Sequence, residues 1–171
     1  VFDDADIESA VNGSIAGIFG ASGQSCVAGS RLYLHESIAD EFLDKMLNLA
    51  SKIKLGDPLQ EETQMGPLAT LGQMNLIENE ISNAKAQGAK ILHGGKRPSN
   101  ANGGWFYEPT IVDCHDQKLK IVDTELFGPV LSVIRFKSEE EVIKLANDTK
   151  YGLAAGVFTK NGARSLRVTK A

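Results

Sequence analysis

Apolar residues recur at three- and four-residue spacing in five stretches of the chain, which is the pattern of amphipathic helices. These stretches start near Asp3, Ser37, Met74, Ser138 and Ala163. Ser37 with Asp40, and Ser138 with Glu141, resemble capping boxes, in which the serine oxygen accepts a hydrogen bond from the backbone three residues later. We therefore predict five helices, two of them beginning at serine caps.

Short runs rich in β-branched and aromatic residues lie between these helices and predict strands. The runs are RLYLH (31–35), AKILH (89–93), WFYEPTIVD (105–113), PVLSVIRF (129–136) and AAGVFT (154–159). Pro109 favours an edge or bulge position for the third run. Helices alternating with strands predict an α/β domain with a mainly parallel sheet flanked by helices, and the β-rich middle allows for an added hairpin.

Length and charge limit the classes of function. The 171 residues suffice for one domain with its own core, and 18 basic against 22 acidic residues give a net charge of −4. A negative chain is a poor partner for nucleic acid or an anionic membrane. No run approaches the roughly 20 apolar residues of a membrane span, and the first residues lack the features of a secretory signal.

The two cysteines, Cys26 and Cys114, are too few for a disulfide scaffold and indicate a reducing, cytoplasmic compartment. The chain also lacks an initiator methionine, and its last helical pattern stops unfinished. We therefore expect residues 1–171 to be one domain truncated at both ends.

Cys26 lies within GASGQSCVAGSR, residues 20–31, a flexible segment with three glycines and three serines. A free cysteine is most often a small buried packing residue, but these neighbours offer no apolar surface. The glycines allow a ligand to approach the backbone, and an amide beside the sulfur can bind an oxyanion. A helix beginning directly after Cys26 would also stabilise its thiolate. From residue types alone, packing residue and nucleophile are equally open.

The other candidate groups give weaker signals. Cys114 has no comparable setting and is predicted to be structural, and the scattered His35, His93 and His115 predict no metal site. A cysteine–histidine dyad remains formally open, with no histidine favoured. The glycine-rich segments match neither of the phosphate-binding motifs G-x-G-x-x-G and G-x-x-x-x-G-K-[ST].

A second informative stretch is DTELFGPVLSV, residues 123–133, in which Glu125 lies among apolar residues before a Gly-Pro turn. Its carboxylate is either a solvated loop charge or an acceptor for the hydroxyls of a sugar. In the second case Phe127 would present a flat face to a ring. Periodicity does not decide between them.

These stretches together resemble the NAD(P)-dependent aldehyde dehydrogenase superfamily. The resemblance covers the whole chain: FGASGQSCVAGSRLYLHESIADEFLDKM, then GPLATLGQMNLIENEISNAKAQGAKILHGGK, GWFYEPTIVD, ELFGPVLSVIRF and ANDTKYGLAAGVFT, in the family's order. It implies a fold with a Rossmann cofactor domain, an α/β catalytic domain and an oligomerisation hairpin. Residues 1–171 would be most of the catalytic domain, without the other two. The complete enzyme would be a homodimer or homotetramer.

The resemblance also implies roles for individual residues. Cys26 would be the thiolate that attacks an aldehyde, and its amide would form part of the oxyanion hole; loss of hydride to NAD or NADP would leave a thioester that water hydrolyses to the acid. Glu125 would hold the nicotinamide ribose, Phe127 would pack near the nicotinamide, and Gln73 matches a cofactor-contacting glutamine. Leu76 stands where a cofactor-binding lysine is frequent, a departure from the family pattern.

In this family the general base and the dinucleotide domain precede the first residues of this chain. We therefore expect the isolated chain to show little or no dehydrogenase turnover. Two alternatives remain open at this stage: a relative in which coenzyme A, in place of water, resolves the thioester, and a non-catalytic segment that packs against partner chains.

Overall fold

The computed structural model describes residues 1–99 and 103–171. Helices and strands alternate along these two ranges. In chain order they are α1 (Ile7–Phe19), β1 (Arg31–His35), α2 (Ala39–Ala50), α3 (Leu71–Ala86), β2 (Lys90–His93), β3 (Thr110–Asp113), α4 (Lys120–Asp123), β4 (Val130–Phe136), α5 (Glu139–Asn147) and α6 (Gly162–Lys170). A short 3-10 turn, Gly20–Gly23, follows α1.

The four strands form one mixed sheet in the order β1-β4-β3-β2. β4 pairs parallel with both β1 and β3, and β2 pairs antiparallel with β3. The predicted mainly parallel α/β sheet is therefore confirmed. The two β-rich runs of the middle, β3 and β4, pair parallel and form no hairpin with each other, and the antiparallel pair is β2 with β3. β4 is buried along almost all of its length, as expected for a near-continuous apolar strand covered on both faces.

Alternate residues of a strand point to opposite faces of the sheet, and here both faces carry apolar side chains. The sheet therefore lies between two layers of helices that cover them. On one face, Leu131 and Val133 of β4 pack in a core with Phe42 and Met46 of α2 and with apolar residues of α1. On the other face, strand residues pack with α3 and α4. The apolar members of this second core include Met74, Ile77, Ile81, Val112, Ile121, Val122, Leu126, Val130 and Ile134.

Side-chain caps define several helix starts, and one predicted cap is wrong. Ser138 Oγ accepts a hydrogen bond from the Glu141 amide at 3.2 Å, as predicted. Ser37 does not cap α2, which begins at Ala39 without a side-chain cap. The Ser37 hydroxyl is instead hydrogen-bonded to the His35 ring, at 2.8 Å from Nδ1, and so does not serve the helix.

Two strand predictions also need correction. The run 154–159 forms no strand: its residues are exposed or half-buried, and its backbone is joined to the first residues by a hydrogen bond from Phe2 N to Phe158 O, 3.0 Å. An apolar run without a neighbouring strand cannot form a ladder. The run 105–113 contributes only β3, which is a central strand. Pro109 lies directly before it, where no ladder N–H is needed. The prediction of an edge or bulge position is therefore wrong, since β3 has a strand on each side and the irregularity in its pairing with β2 lies between Ile91 and His93.

Among the helices of the described ranges, none is both long enough and apolar enough to cross a membrane.

Candidate active site

The segment before Cys26 adopts a left-handed turn. Ala21, Ser22 and Gly23 have φ values of +50°, +58° and +69°. For the two non-glycine residues this region costs about 1–2 kcal/mol each, so tertiary contacts must hold the turn. One such contact is the hydrogen bond from the buried Ser22 Oγ to the Gly66 carbonyl, at 2.8 Å.

Gly23 brings the cysteine segment against the Glu125 segment. A Cβ atom at Gly23 would lie 2.1 Å from the carbonyl oxygen of Gly128, so the two backbones are in direct contact. Only glycine accommodates both this approach and the positive φ. The contact joins positions 105 residues apart and places the turn that bears Cys26 beside the turn that bears Phe127.

Gln24 binds the same segment to the loop before α3. Its Oε1 accepts a hydrogen bond from Ala69 N at 2.8 Å, and its Nε2 donates to Pro67 O at 3.3 Å. Together with the Ser22 contact, these bonds fix the backbone on the N-terminal side of Cys26. The sequence alone did not identify Ser22 or Gln24 as residues of the site. Gln24 nevertheless belongs to the G-Q-x-C stretch that is part of the resemblance.

Cys26 itself is exposed, in a tight turn closed by the hydrogen bond from Ala28 N to Ser25 O, 3.1 Å. The interpretation of this residue as a buried packing group is therefore wrong. No helix begins after it, since the chain runs directly into β1, and helix-dipole activation does not apply. Within residues 1–99 and 103–171 nothing accepts a hydrogen bond from the Cys26 amide, which leaves that N–H available to an oxyanion.

Cys114 lies in the opposite environment. It is buried at the end of β3, and this burial raises the pKa of its thiol to about 11. A thiol with such a pKa stays protonated near neutral pH and is a poor nucleophile. His115 beside it is exposed. No group of three or more metal-ligating side chains is found in the part of the chain that the structure describes.

Glu125 and Phe127 are exposed on either side of the buried Leu126. Phe127 has φ +49°, a conformation that is rare for an aromatic residue and costs about 1–3 kcal/mol. Phe127 is 40% exposed, while the following Gly128 and Pro129 are buried. A carboxylate acceptor and an aromatic face therefore lie two residues apart at the surface.

Gln73 contacts the backbone between Glu125 and Phe127. It lies in the first turn of α3, which is capped by a hydrogen bond from Gln73 N to Thr70 Oγ1, 3.1 Å. Its side-chain Nε2 donates to the carbonyl oxygen of Leu126. The structure thus gathers the segments of all four predicted site residues, with Gln73 holding the Glu125–Phe127 backbone.

Two clefts lie away from the four predicted site residues. Two open clefts of about 620 Å³ share His93 and Glu108, near β2 and the loop after α2. None of the four predicted site residues lines either cleft.

The known proteins that this chain is similar to are aldehyde dehydrogenases and related dehydrogenases. The aldehyde dehydrogenase family model matches residues 1–171. The chain is 48% identical over 171 residues to a chloroplastic betaine aldehyde dehydrogenase of Atriplex hortensis and 48% identical to the peroxisomal aminoaldehyde dehydrogenase 2 of Pisum sativum. It is 50% identical over 172 residues to (Z)-2-((N-methylformamido)methylene)-5-hydroxybutyrolactone dehydrogenase of Acinetobacter baylyi. The alignments cover all of this chain and 34%, 34% and 35% of these relatives.

The solved structures give the same result. Betaine aldehyde dehydrogenase from Staphylococcus aureus, in complex with NAD+, superposes with a TM-score of 0.97 at 43% identity, covering 99% of this chain and 34% of that one. An aldehyde dehydrogenase from Bacillus cereus, also solved with NAD+, gives 0.95 at 39% identity over similar shares. This chain spans about a third of the length of these relatives. It belongs to the aldehyde dehydrogenase family.

Proposed function

We propose that this chain is the thiol-bearing catalytic domain of an enzyme that oxidises an aldehyde to a carboxylic acid with NAD+, with Cys26 as the nucleophile. The contact of Gly23 with Gly128 supports the proposal, because it joins the segment that leads to the exposed Cys26 to the segment that bears the exposed Glu125 and Phe127. The NAD+ complexes of the structural neighbours support the choice of cofactor.

The exposed residues fit a nicotinamide nucleoside. The Glu125 carboxylate can accept hydrogen bonds from both ribose hydroxyls, and the Phe127 ring offers a flat apolar face. Gln73 acts on these two residues by holding the Leu126 carbonyl between them. When bound, NAD+ supplies the hydride acceptor.

Cys26 and its backbone account for the covalent steps. The Sγ thiolate forms a bond to the aldehyde carbon, and the electron pair of the carbonyl moves to oxygen, where the Cys26 amide donates a hydrogen bond. Departure of hydride from that carbon restores the C=O bond and leaves a thioester on Cys26. Addition of water then breaks the C–S bond, which releases the acid and returns the thiol.

The proposal extends to the substrate and the assembly. Betaine aldehyde and aminoaldehydes appear in the names of two relatives, so amino- and ammonium-substituted aldehydes are the first substrates to test. We propose that residues 1–171 work together with a Rossmann cofactor domain and an oligomerisation hairpin supplied outside them, in a dimer or tetramer.

The isolated 171-residue chain is expected to turn over betaine aldehyde at least about a thousandfold more slowly than the complete enzyme, because positioning of the cofactor is lost. NADH formation, followed by absorbance with both proteins at equal concentration, measures this difference. Equal turnover by the isolated chain and the complete enzyme would contradict the proposal that residues outside 1–171 position the cofactor. A complete enzyme without NAD+-dependent oxidation of any tested aldehyde would contradict the proposed function itself.

A further inference from the structure

One face of α3 follows the segment 120–128, which includes Glu125 and Phe127. Gln73, Ile77 and Glu80 are spaced i, i+4 and i+7, so they share this face over two helical turns. Ile77 touches the far end of the segment, since a Cβ at Gly128 would lie 2.3 Å from Ile77 Cδ1. Gln73 contacts the middle of the segment and Glu80 contacts its start.

Glu80 is an unusual member of this face because its carboxylate side chain is buried, 3% exposed, on a helix whose residues Ile77 and Ile81 belong to an apolar core. Its Oε1 forms an ion pair with Lys120 Nζ, and the Lys120 side chain remains 63% exposed. Its Oε2 is buried without a hydrogen-bond partner in the described residues. A half-satisfied buried carboxylate is a costly way to fill a core position, and an apolar residue would serve packing better.

The ion pair connects α3 to the residues that carry the site. Lys120 is the first residue of α4, and its carbonyl accepts a hydrogen bond from Thr124 Oγ1 at 2.8 Å. Lys120 and the backbone entering Glu125 are therefore one hydrogen-bonded unit. A change in the position of Lys120 moves the start of that unit, while Gln73 holds its continuation at Leu126.

We propose that Glu80 is a positioning residue, which sets the position of Glu125 and Phe127 through its ion pair with Lys120 and thereby the affinity of the site for NAD+. This inference rests on the proposed function for the identity of the ligand. The placement of segment 120–128 by Glu80 rests on the contacts alone.

Glu80→Gln keeps the shape of the side chain and removes its charge. In the complete enzyme we expect the dissociation constant for NAD+, measured by calorimetry, to rise about five- to tenfold, with kcat at saturating NAD+ within about twofold of the wild type. In the 171-residue chain we expect the backbone amides of 120–128 to exchange with solvent deuterium about tenfold faster.

Glu78→Gln is the matched control. Glu78 lies on the same helix in an exposed ion pair with Arg97, 2.7 Å from Oε1 to Nε, outside the face formed by Gln73, Ile77 and Glu80. It should leave both the NAD+ affinity and the exchange of 120–128 unchanged. Lys120→Gln breaks the same pair from its exposed side and should reproduce the effects of Glu80→Gln, which covers the case in which the Glu80 variant does not fold.

The two readouts separate the two proposals. Unchanged exchange in 120–128 for both Glu80→Gln and Lys120→Gln, or equal changes in Glu78→Gln, would overturn the positioning role. Faster exchange with unchanged NAD+ affinity would overturn the link to the cofactor. Failure of the wild-type complete enzyme to bind NAD+ would overturn the proposed function, while the exchange data would still decide whether Glu80 positions the segment.

Discussion

Replacing Cys26 with serine is expected to lower the kcat/KM of the complete enzyme for aldehyde oxidation by about a thousandfold or more. A serine hydroxyl stays protonated near neutral pH and is a far weaker nucleophile than a thiolate. Cys26 is exposed and packs against no core, so the substitution leaves the fold unchanged. NADH formation under kcat/KM conditions measures the loss, and a urea unfolding curve verifies the fold.

Cys114→Ala is the control for this experiment. Cys114 is the other cysteine of the chain. It is buried in the core directly after β3, and the proposed mechanism gives it no role. Its truncation should cost about 1 kcal/mol of the free energy of unfolding and leave the kcat/KM within a few-fold of the wild type. If Cys26→Ser kept such activity as well, Cys26 would not be the nucleophile.

Gly23→Ala is expected to destabilise the 171-residue chain by about 3 kcal/mol or more. The added methyl group would meet the Gly128 carbonyl oxygen at 2.1 Å, and alanine disfavours the φ of +69°. Because the methyl group would meet backbone atoms, the segments around Gly23 and Gly128 would have to move apart. A urea titration measures the loss, and the alkylation rate of Cys26 should change along with it.

Gly29→Ala is the matched substitution on the other side of Cys26. A Cβ there would meet nothing within 4 Å, and the backbone is not in the left-handed region. We expect a change within about 0.5 kcal/mol of the wild type. Similar losses for the two variants would show that the contact between Gly23 and Gly128 does not hold the site.

Helices α1, α2 and α3 were predictable because each buries a stripe of apolar residues at helical spacing. α1, α2, α3 and α5 lie where the spacing places them, and Ser138 caps α5 as its spacing predicts. Local signals failed where a tertiary partner decided the outcome. Ser37 has the spacing of a cap, but the His35 ring takes its hydroxyl. The run 154–159 has the composition of a strand without strand neighbours in the described residues.

The residues of the candidate site were less predictable from the sequence than the helices. Cys26, Glu125 and Phe127 were candidates from their residue types and neighbours, but only the family resemblance chose between the alternatives for them and added Gln73. The contacts that assemble them join distant segments: Gly23 with Gly128, Ser22 with Gly66, and Glu80 with Lys120. Such pairs leave no periodic signal in a single sequence. Among these contacts, only the one at Gly23 has a local sign in the sequence, because glycine accommodates a positive φ. Many other loop glycines share that property.

The proposed role of Cys26 is tested most directly by trapping the covalent enzyme. The complete enzyme is mixed with betaine aldehyde and NAD+, quenched in acid within the first turnover, digested and analysed by mass spectrometry. We expect the acyl mass on the peptide that contains Cys26 and only in the presence of NAD+, because the thioester forms only after hydride has left. An acyl mass on Cys114 or another residue, or substrate turnover without any acylated peptide, would contradict the role of Cys26.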